Sequence, residues 1–263
     1  MNAHGSPLAA ARTHLGLIAL LLALAAVAWL STADRMAGMD AGPGTALGAL
    51  GWFLGVWAVM MAAMMFPSAA PTVALYARMS RRRAPTAPLL FAAGYLLTWT
   101  VAGLVAYAVF DLGRAVLGDQ LAWDSGGRWV AGGTLLVAAA YELTPLKDAC
   151  LSKCRTPLGF LVGSWRDGLT GAVSMGARHG AWCVGCCWAL MAALFALGVM
   201  SLAWMALVAA LIALEKVLSW RRTTYAVALI LLVLGVLILA APDSVPGLVV
   251  PGDDAPADSM MMQ

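Results

Sequence analysis

Thr224-Tyr-Ala-Val-Ala-Leu-Ile-Leu-Leu-Val-Leu-Gly-Val-Leu-Ile-Leu-Ala-Ala241 is an unbroken apolar run without a single charge. It approaches the roughly 20 residues that an α-helix needs to cross a bilayer. A helix apolar on every side has no water-facing stripe, so it belongs inside a large core or in a membrane. Six further stretches read the same way: Leu15–Thr32, Leu47–Phe66, Leu89–Phe110, Trp129–Lys147, Ala181–Gly198 and Leu202–Leu218. Only a few residues around Met200 and Ser201 separate the fifth and sixth, which predicts a tight helical hairpin. The first exceeds the apolar core of a signal peptide, and no small-x-small cleavage site follows it, so it reads as a helix.

Composition agrees. Of 263 residues, 62% are hydrophobic and 11% charged, whereas a soluble domain is about half apolar and a quarter charged. So apolar a chain has too little polar surface to cover a core in water. The net charge of +3 gives no electrostatic basis for binding nucleic acid. The expected fold is therefore all-α, a polytopic membrane bundle of seven transmembrane helices with the lipid bilayer as its solvent.

The charges orient it. Arg12, Arg78, Arg81, Arg82, Arg83, Lys147, Lys153, Arg155, Arg166, Arg178, Lys216, Arg221 and Arg222 fall on one side, leaving only Arg35, Arg114 and Arg128 for the other. The positive-inside rule makes the first side cytoplasmic. Residues 1–14 then form a cytoplasmic amino terminus, 15–241 the bundle, and 242–263 an extracytoplasmic tail. The tail is rich in Pro, Gly and Asp and is expected to be disordered. Phe160, Leu161, Trp165, Leu169 and Val173 recur at helical spacing, which predicts a cytoplasmic interfacial helix near 157–176.

All five cysteines map to that cytoplasmic side. Cys150 and Cys154 follow the fourth stretch, while Cys183, Cys186 and Cys187 open the fifth in His179-Gly-Ala-Trp-Cys183-Val-Gly-Cys186-Cys187-Trp188. The cytoplasm is reducing, so a structural disulfide framework is not expected there. Residues three and four apart share a helix face, which aligns His179, Cys183 and Cys186 and puts Cys187 at their edge. If the two helix ends meet, five sulfurs and an imidazole converge, with Gly180 and Gly185 permitting close approach. Isolated cysteines are often buried small hydrophobes, but five on one level with a histidine in register favour metal ligation. A dithiol redox role for Cys183 and Cys186 stays open. In Met60-Met61-Ala-Ala-Met64-Met65-Phe-Pro67, two i, i+4 methionine stripes lie at the same depth. Methionine is also a common core filler. Thioethers and thiolates together suit Cu(I), and the thiolates alone would also take zinc.

Two glutamates lie at membrane depth, where an unpaired carboxylate costs several kcal/mol. Glu215 has Lys216 beside it. Glu142 has no basic neighbour one turn away, which leaves two readings: it orients a ligand from behind, most naturally His179, or it is protonated and neutral. Pro67, Pro71 and Pro145 are expected to end or kink their helices.

The runs Met60–Pro71, Tyr141–Phe160 and His179–Met191, together with Glu215-Lys216, resemble a bacterial family of predicted metal-binding integral membrane proteins, also described as copper chaperones. The resemblance covers most of the chain from the second stretch onward. It implies a multi-pass protein of the bacterial inner membrane, engaged in metal homeostasis, with a metal-donating or metal-accepting protein as partner. Three functions follow: Cu(I) handling or delivery, transmembrane metal transport, and thiol-disulfide oxidoreduction. Transport needs polar or soft groups in the outer leaflet, where the sequence offers little beyond Tyr95, Thr98, Tyr107, Met200 and Met205, and the absence of charges there argues against coupled pumping. With three His residues and no His-Glu-x-x-His, a membrane metal hydrolase fits poorly, and no catalytic residue is assigned.

Overall fold

The computed structural model describes residues 7–36, 47–80, 86–118, 123–198, 201–218, 220–245 and 248. Most of the acidic tail, the Arg81–Arg83 cluster, Met200 and the first six residues therefore lie outside the described residues, as does the side chain of Arg12.

The described residues are helical nearly throughout, with no strand among them. The order is α1 (Pro7–Met36), α2 (Leu50–Ser80), α3 (Ala87–Leu117), a single π-helical turn (Trp123–Gly127) leading into α4 (Arg128–Glu142), α5 (Pro145–Arg155), α6 (Pro157–Gly163), α7 (Gly168–Leu197), α8 (Leu202–Val217) and α9 (Arg221–Ala240). Five of these, α1, α2, α3, α7 and α9, are long and apolar enough to cross a membrane. Their outward faces carry Val27, Leu30, Val109 and Leu229, all exposed. So broad an apolar surface suits lipid, not water. The other two expected spans are shorter: α4 has 15 residues and α8 has 16, below the length that a span needs.

Several helices run past the stretches read from sequence, and three of the differences shape the site. First, α2 runs through Pro67 and Pro71 to Ser80 instead of stopping near Phe66. A proline removes a single ladder bond, and the packed α2 face around it, Met64, Met65, Ala69 and Ala70, is buried. Second, the fourth stretch breaks at Leu143 and Thr144. Thr144 is extended (φ −81°, ψ 146°), its hydroxyl accepts from the Lys147 amide, and Pro145 opens α5. A residue before proline avoids the helical region, so the break falls one residue ahead of the proline. Third, the interfacial helix near 157–176 is divided. Pro157–Gly163 is α6, whereas 168 onward already belongs to α7.

The packing that positions the functional residues is glycine-mediated. α7 lies against α3, α4, α5 and α8. A Cβ on Gly176 would fall on the Phe91 carbonyl, and one on Gly180 would reach Thr98 Cβ and the Tyr95 carbonyl at 2.9 Å. Small residues four apart let two apolar helices approach to backbone contact, where dispersion and weak polar contacts hold them. α2 is tied to α3 by the Trp57 indole, which donates to the Trp99 carbonyl at 2.8 Å.

Gly176→Ala is therefore expected to force α3 from α7 and to destabilise the fold by about 1–3 kcal/mol. Gly133→Ala, with open space around its Cβ, should be neutral or slightly stabilising through helix propensity. Thermal unfolding of the two variants in detergent checks the contrast.

Candidate metal centre

α7 supplies Cys183, Cys186 and Cys187 from neighbouring positions of one helix, all at most 2% exposed. α5 brings a fourth thiol. The Sγ atoms of Cys154, Cys183 and Cys186 all lie within 4.8 Å of one another. Cys154 Sγ is 3.8 Å from Cys186 Sγ, and Cys187 Sγ is 3.2 Å from Cys186 Sγ. All five cysteines are free thiols. Metal–thiolate bonds of about 2.3 Å place sulfurs sharing an ion roughly 4 Å apart, so the donor set fits a soft metal without rearranging the helices.

The remaining expected ligands distribute unevenly. Cys150 is buried beneath Gly185, whose absent side chain leaves it room: a Cβ there would meet Cys150 Sγ at 2.8 Å. Its thiol is not among the gathered three, and burial pushes it above its ordinary pKa. Tyr141 donates its hydroxyl to the Gly185 carbonyl at 2.6 Å, pinning α4 to the same turn of α7. His179 is buried one turn before Cys183, with ring centroids of Phe91, Tyr95 and Phe160 at 5.9, 5.7 and 5.1 Å. Its Nδ1 has no hydrogen-bond partner. Met60, Met61, Met64 and Met65 are all buried within the bundle. Met65 is the one whose sulfur has a polar neighbour at the cluster: its Sδ lies 4.0 Å from Lys216 Nζ.

Glu142 is placed differently from the expectation. It does not face an unpaired depth of membrane, and its ionic partner is not His179. It pairs with Lys147, which also reaches Glu215 Oε2 at 2.6 Å. The three charged groups are at most 2% exposed. Lys147 is thus a core residue and not a flanking cytoplasmic charge. Glu215 pairs across helices with Lys147 instead of with its sequence neighbour. The triad joins the end of α4, the start of α5 and the end of α8. At the other end of α5, Arg155 donates through Nε to the Glu215 carbonyl at 2.7 Å and through Nη2 to the Leu218 carbonyl at 3.0 Å. The strut that carries Cys154 is therefore fastened to α8 at both ends.

Three neighbours of the cluster were not assigned to it from sequence. Lys216 Nζ donates to Cys183 Sγ at 3.1 Å and to Ser68 Oγ at 3.0 Å. Tyr95 shares a 3.0 Å hydrogen bond with Cys183 Sγ, and Thr98 donates to the Ala177 carbonyl on the same helix pair. Tyr95 and Thr98 thus pack against the part of α7 that carries the thiols, not at the far end of the bundle. A signal for Lys216 was present, because a lysine next to a glutamate late in an apolar helix needs an anionic or dipolar partner of its own.

Chemically, the arrangement is a largely buried sulfur nest with one cation beside it, suited to holding a soft metal ion. No curated protein and no solved structure matches the chain. A family model described as copper chaperone matches residues 54–238, which reaches from within α2 to within α9 and covers well over half the chain. On this match, the chain belongs to the PpoB2 copper chaperone family.

Proposed function

We propose that this chain is a multi-pass inner-membrane protein that binds Cu(I) as cargo on Cys154, Cys183 and Cys186 and passes it to a partner protein. The observation that carries the reading is the meeting of three buried sulfurs, from two helices, within 4.8 Å in a member of a copper chaperone family. Sulfur donors favour Cu(I) and zinc over harder ions, and the copper family tips the choice. Cys187, 3.2 Å from Cys186, serves as an exchange ligand. Met65, with Met60, Met61 and Met64 behind it on α2, forms the softer approach. His179 and Cys150 support the nest from within the packed interior, and the Glu142 triad braces it.

The topology in this proposal is seven spans with the amino terminus inside and the carboxyl terminus outside. Trp123–Gly127 and α4 together make one helical segment long enough for a span, and α8 closes the hairpin with α7. The skew of basic residues puts the sulfur nest at the cytoplasmic end.

Protein purified under reducing conditions should carry about one Cu(I) per chain against a competing chelator, a stoichiometry set by one three-sulfur site. Zinc in its place would overturn the copper assignment. The 3.8 Å approach of Cys154 and Cys186 sulfurs also suits a dithiol that oxidises. A metal-free protein whose thiols cycle to a Cys154–Cys186 disulfide would establish that reading instead. Copper accumulating inside proteoliposomes would move the function from delivery to transport.

A further inference from the structure

Lys216 stands between two donor groups that the copper reading uses separately. Its ammonium donates to Cys183 Sγ at 3.1 Å and to Ser68 Oγ at 3.0 Å, and Met65 Sδ lies 4.0 Å away. A thiol, a hydroxyl and a thioether from α2 and α7 thus surround one positive charge brought in by α8. Among the described residues the ammonium has no carboxylate partner, because neighbouring Glu215 is taken by Lys147. Its ionic environment is the sulfur nest itself.

We propose that the Lys216 ammonium is a tethered cation occupying a second soft-metal position, formed by Cys183 Sγ, Met65 Sδ and Ser68 Oγ, and that incoming Cu(I) must displace it. The inference rests on the copper reading and deepens it. A unit positive charge in contact with Cys183 repels a second one approaching from the Met65 side, and it removes one lone pair of that sulfur from service. Displacing it frees Cys183 and brings Met65 into reach, so the ion can bridge from the methionine stripe to the three-cysteine nest. The lysine stem is flexible enough to make this exchange, since its four methylenes rotate freely once the head leaves its partners. No oxidation state changes: Cu(I) enters as Cu(I), the ammonium swings aside still tethered and charged, and each cysteine that ligates gives up its thiol proton to solvent, because only the thiolate binds the metal.

The alternative role for a buried ammonium beside a metal nest is to stabilise the anionic sulfurs, and it predicts the opposite sign. Removing a competitor speeds loading, whereas removing a stabiliser weakens it. Transfer of Cu(I) from a coloured chelator complex to the detergent-solubilised full chain gives the rate directly. Lys216→Met and Lys216→Gln are expected to load about tenfold faster or more than the unsubstituted chain, given the strength of a unit-charge contact near 4 Å. Lys216→Arg should load no faster. Met65→Leu added to Lys216→Met should return the rate toward the starting value. Wild-type or slower loading by both neutral variants overturns the proposal while leaving the copper site standing, as does a loss of bound copper from them. Two neutral variants of different polarity guard against a folding failure in either. A wild-type chain that takes no Cu(I) at all removes the copper reading and this proposal with it.

Discussion

Cu(I) titrated into the Cys186→Ser variant is expected to find no tight site, with affinity reduced by more than the roughly 100-fold that losing an outer-shell partner costs. Cys186 is the centre of the sulfur nest, 3.8 Å from Cys154 and 3.2 Å from Cys187. Serine keeps the size of the side chain and its hydrogen bond to the Cys183 carbonyl, now 3.2 Å long, so the helix should survive. What vanishes is the soft donor. A hydroxyl is a poor ligand for a soft ion, and of the three sulfurs gathered within 4.8 Å only those of Cys154 and Cys183 remain. Cys150→Ser is the matched control. Cys150 is buried on the same strut but sits beneath Gly185, outside the gathered three, so its copper stoichiometry should be unchanged. Equal retention by both variants, measured by competition with a Cu(I) chelator, would refute the three-sulfur assignment.

Lys147→Met is expected to be the most destabilising single change in the charged interior. Lys147 is the one ammonium set between two buried carboxyl groups, and one oxygen of each, Glu142 Oε1 and Glu215 Oε1, has no hydrogen-bond partner. Removing the ammonium leaves the buried carboxyl pair without its counter-charge, and breaking a buried ion pair costs about 3–5 kcal/mol. The unfolding midpoint in detergent should fall on the order of 10 °C. The same physics predicts rescue. Combining Lys147→Met with Glu142→Gln and Glu215→Gln removes every charge of the triad, and replacing a complete buried ion cluster by neutral groups is often nearly neutral. The triple variant should thus be more stable than the single one. If Lys147→Met unfolds at the wild-type midpoint, the triad does not brace the bundle.

Helices long and apolar enough to cross a membrane were legible in single runs such as Thr224–Ala241, because an apolar stretch of that length has few solvents other than lipid. The spacing of Cys183, Cys186 and Cys187 was legible too, since helix geometry fixes which residues share a face. Hydropathy failed at the ends of elements. It started the fifth stretch at Ala181 because Arg178 and His179 interrupt the apolar run, yet the backbone ladder of α7 runs on from Gly168. Hydrogen bonds between successive turns do not depend on side-chain polarity.

The charge pairings were missed for a different reason. Glu215 and Lys216 are neighbours in sequence, but successive residues point about 100° apart on a helix. They serve different elements: Glu215 meets Lys147 on α5, and Lys216 meets Ser68 and Cys183 on α2 and α7. Glu142 and Lys147 are five apart, a spacing that an unbroken helix would not pair. The break at Leu143 and Thr144 changes the direction of the chain and brings them together. Such partners become visible only once the turn is known.

The nest is discontinuous along the chain: α7 contributes a rigid row of sulfurs, whereas Cys154 arrives on an eleven-residue strut clamped at one end by Lys147 and at the other by Arg155. A synthetic peptide copying His179–Trp188 would reproduce the motif and lack the strut, and so would chelate as a flexible polythiol without preset geometry. Selectivity among soft ions would then be a property of the assembled bundle, lost on excision, although every recognisable letter of the motif remained.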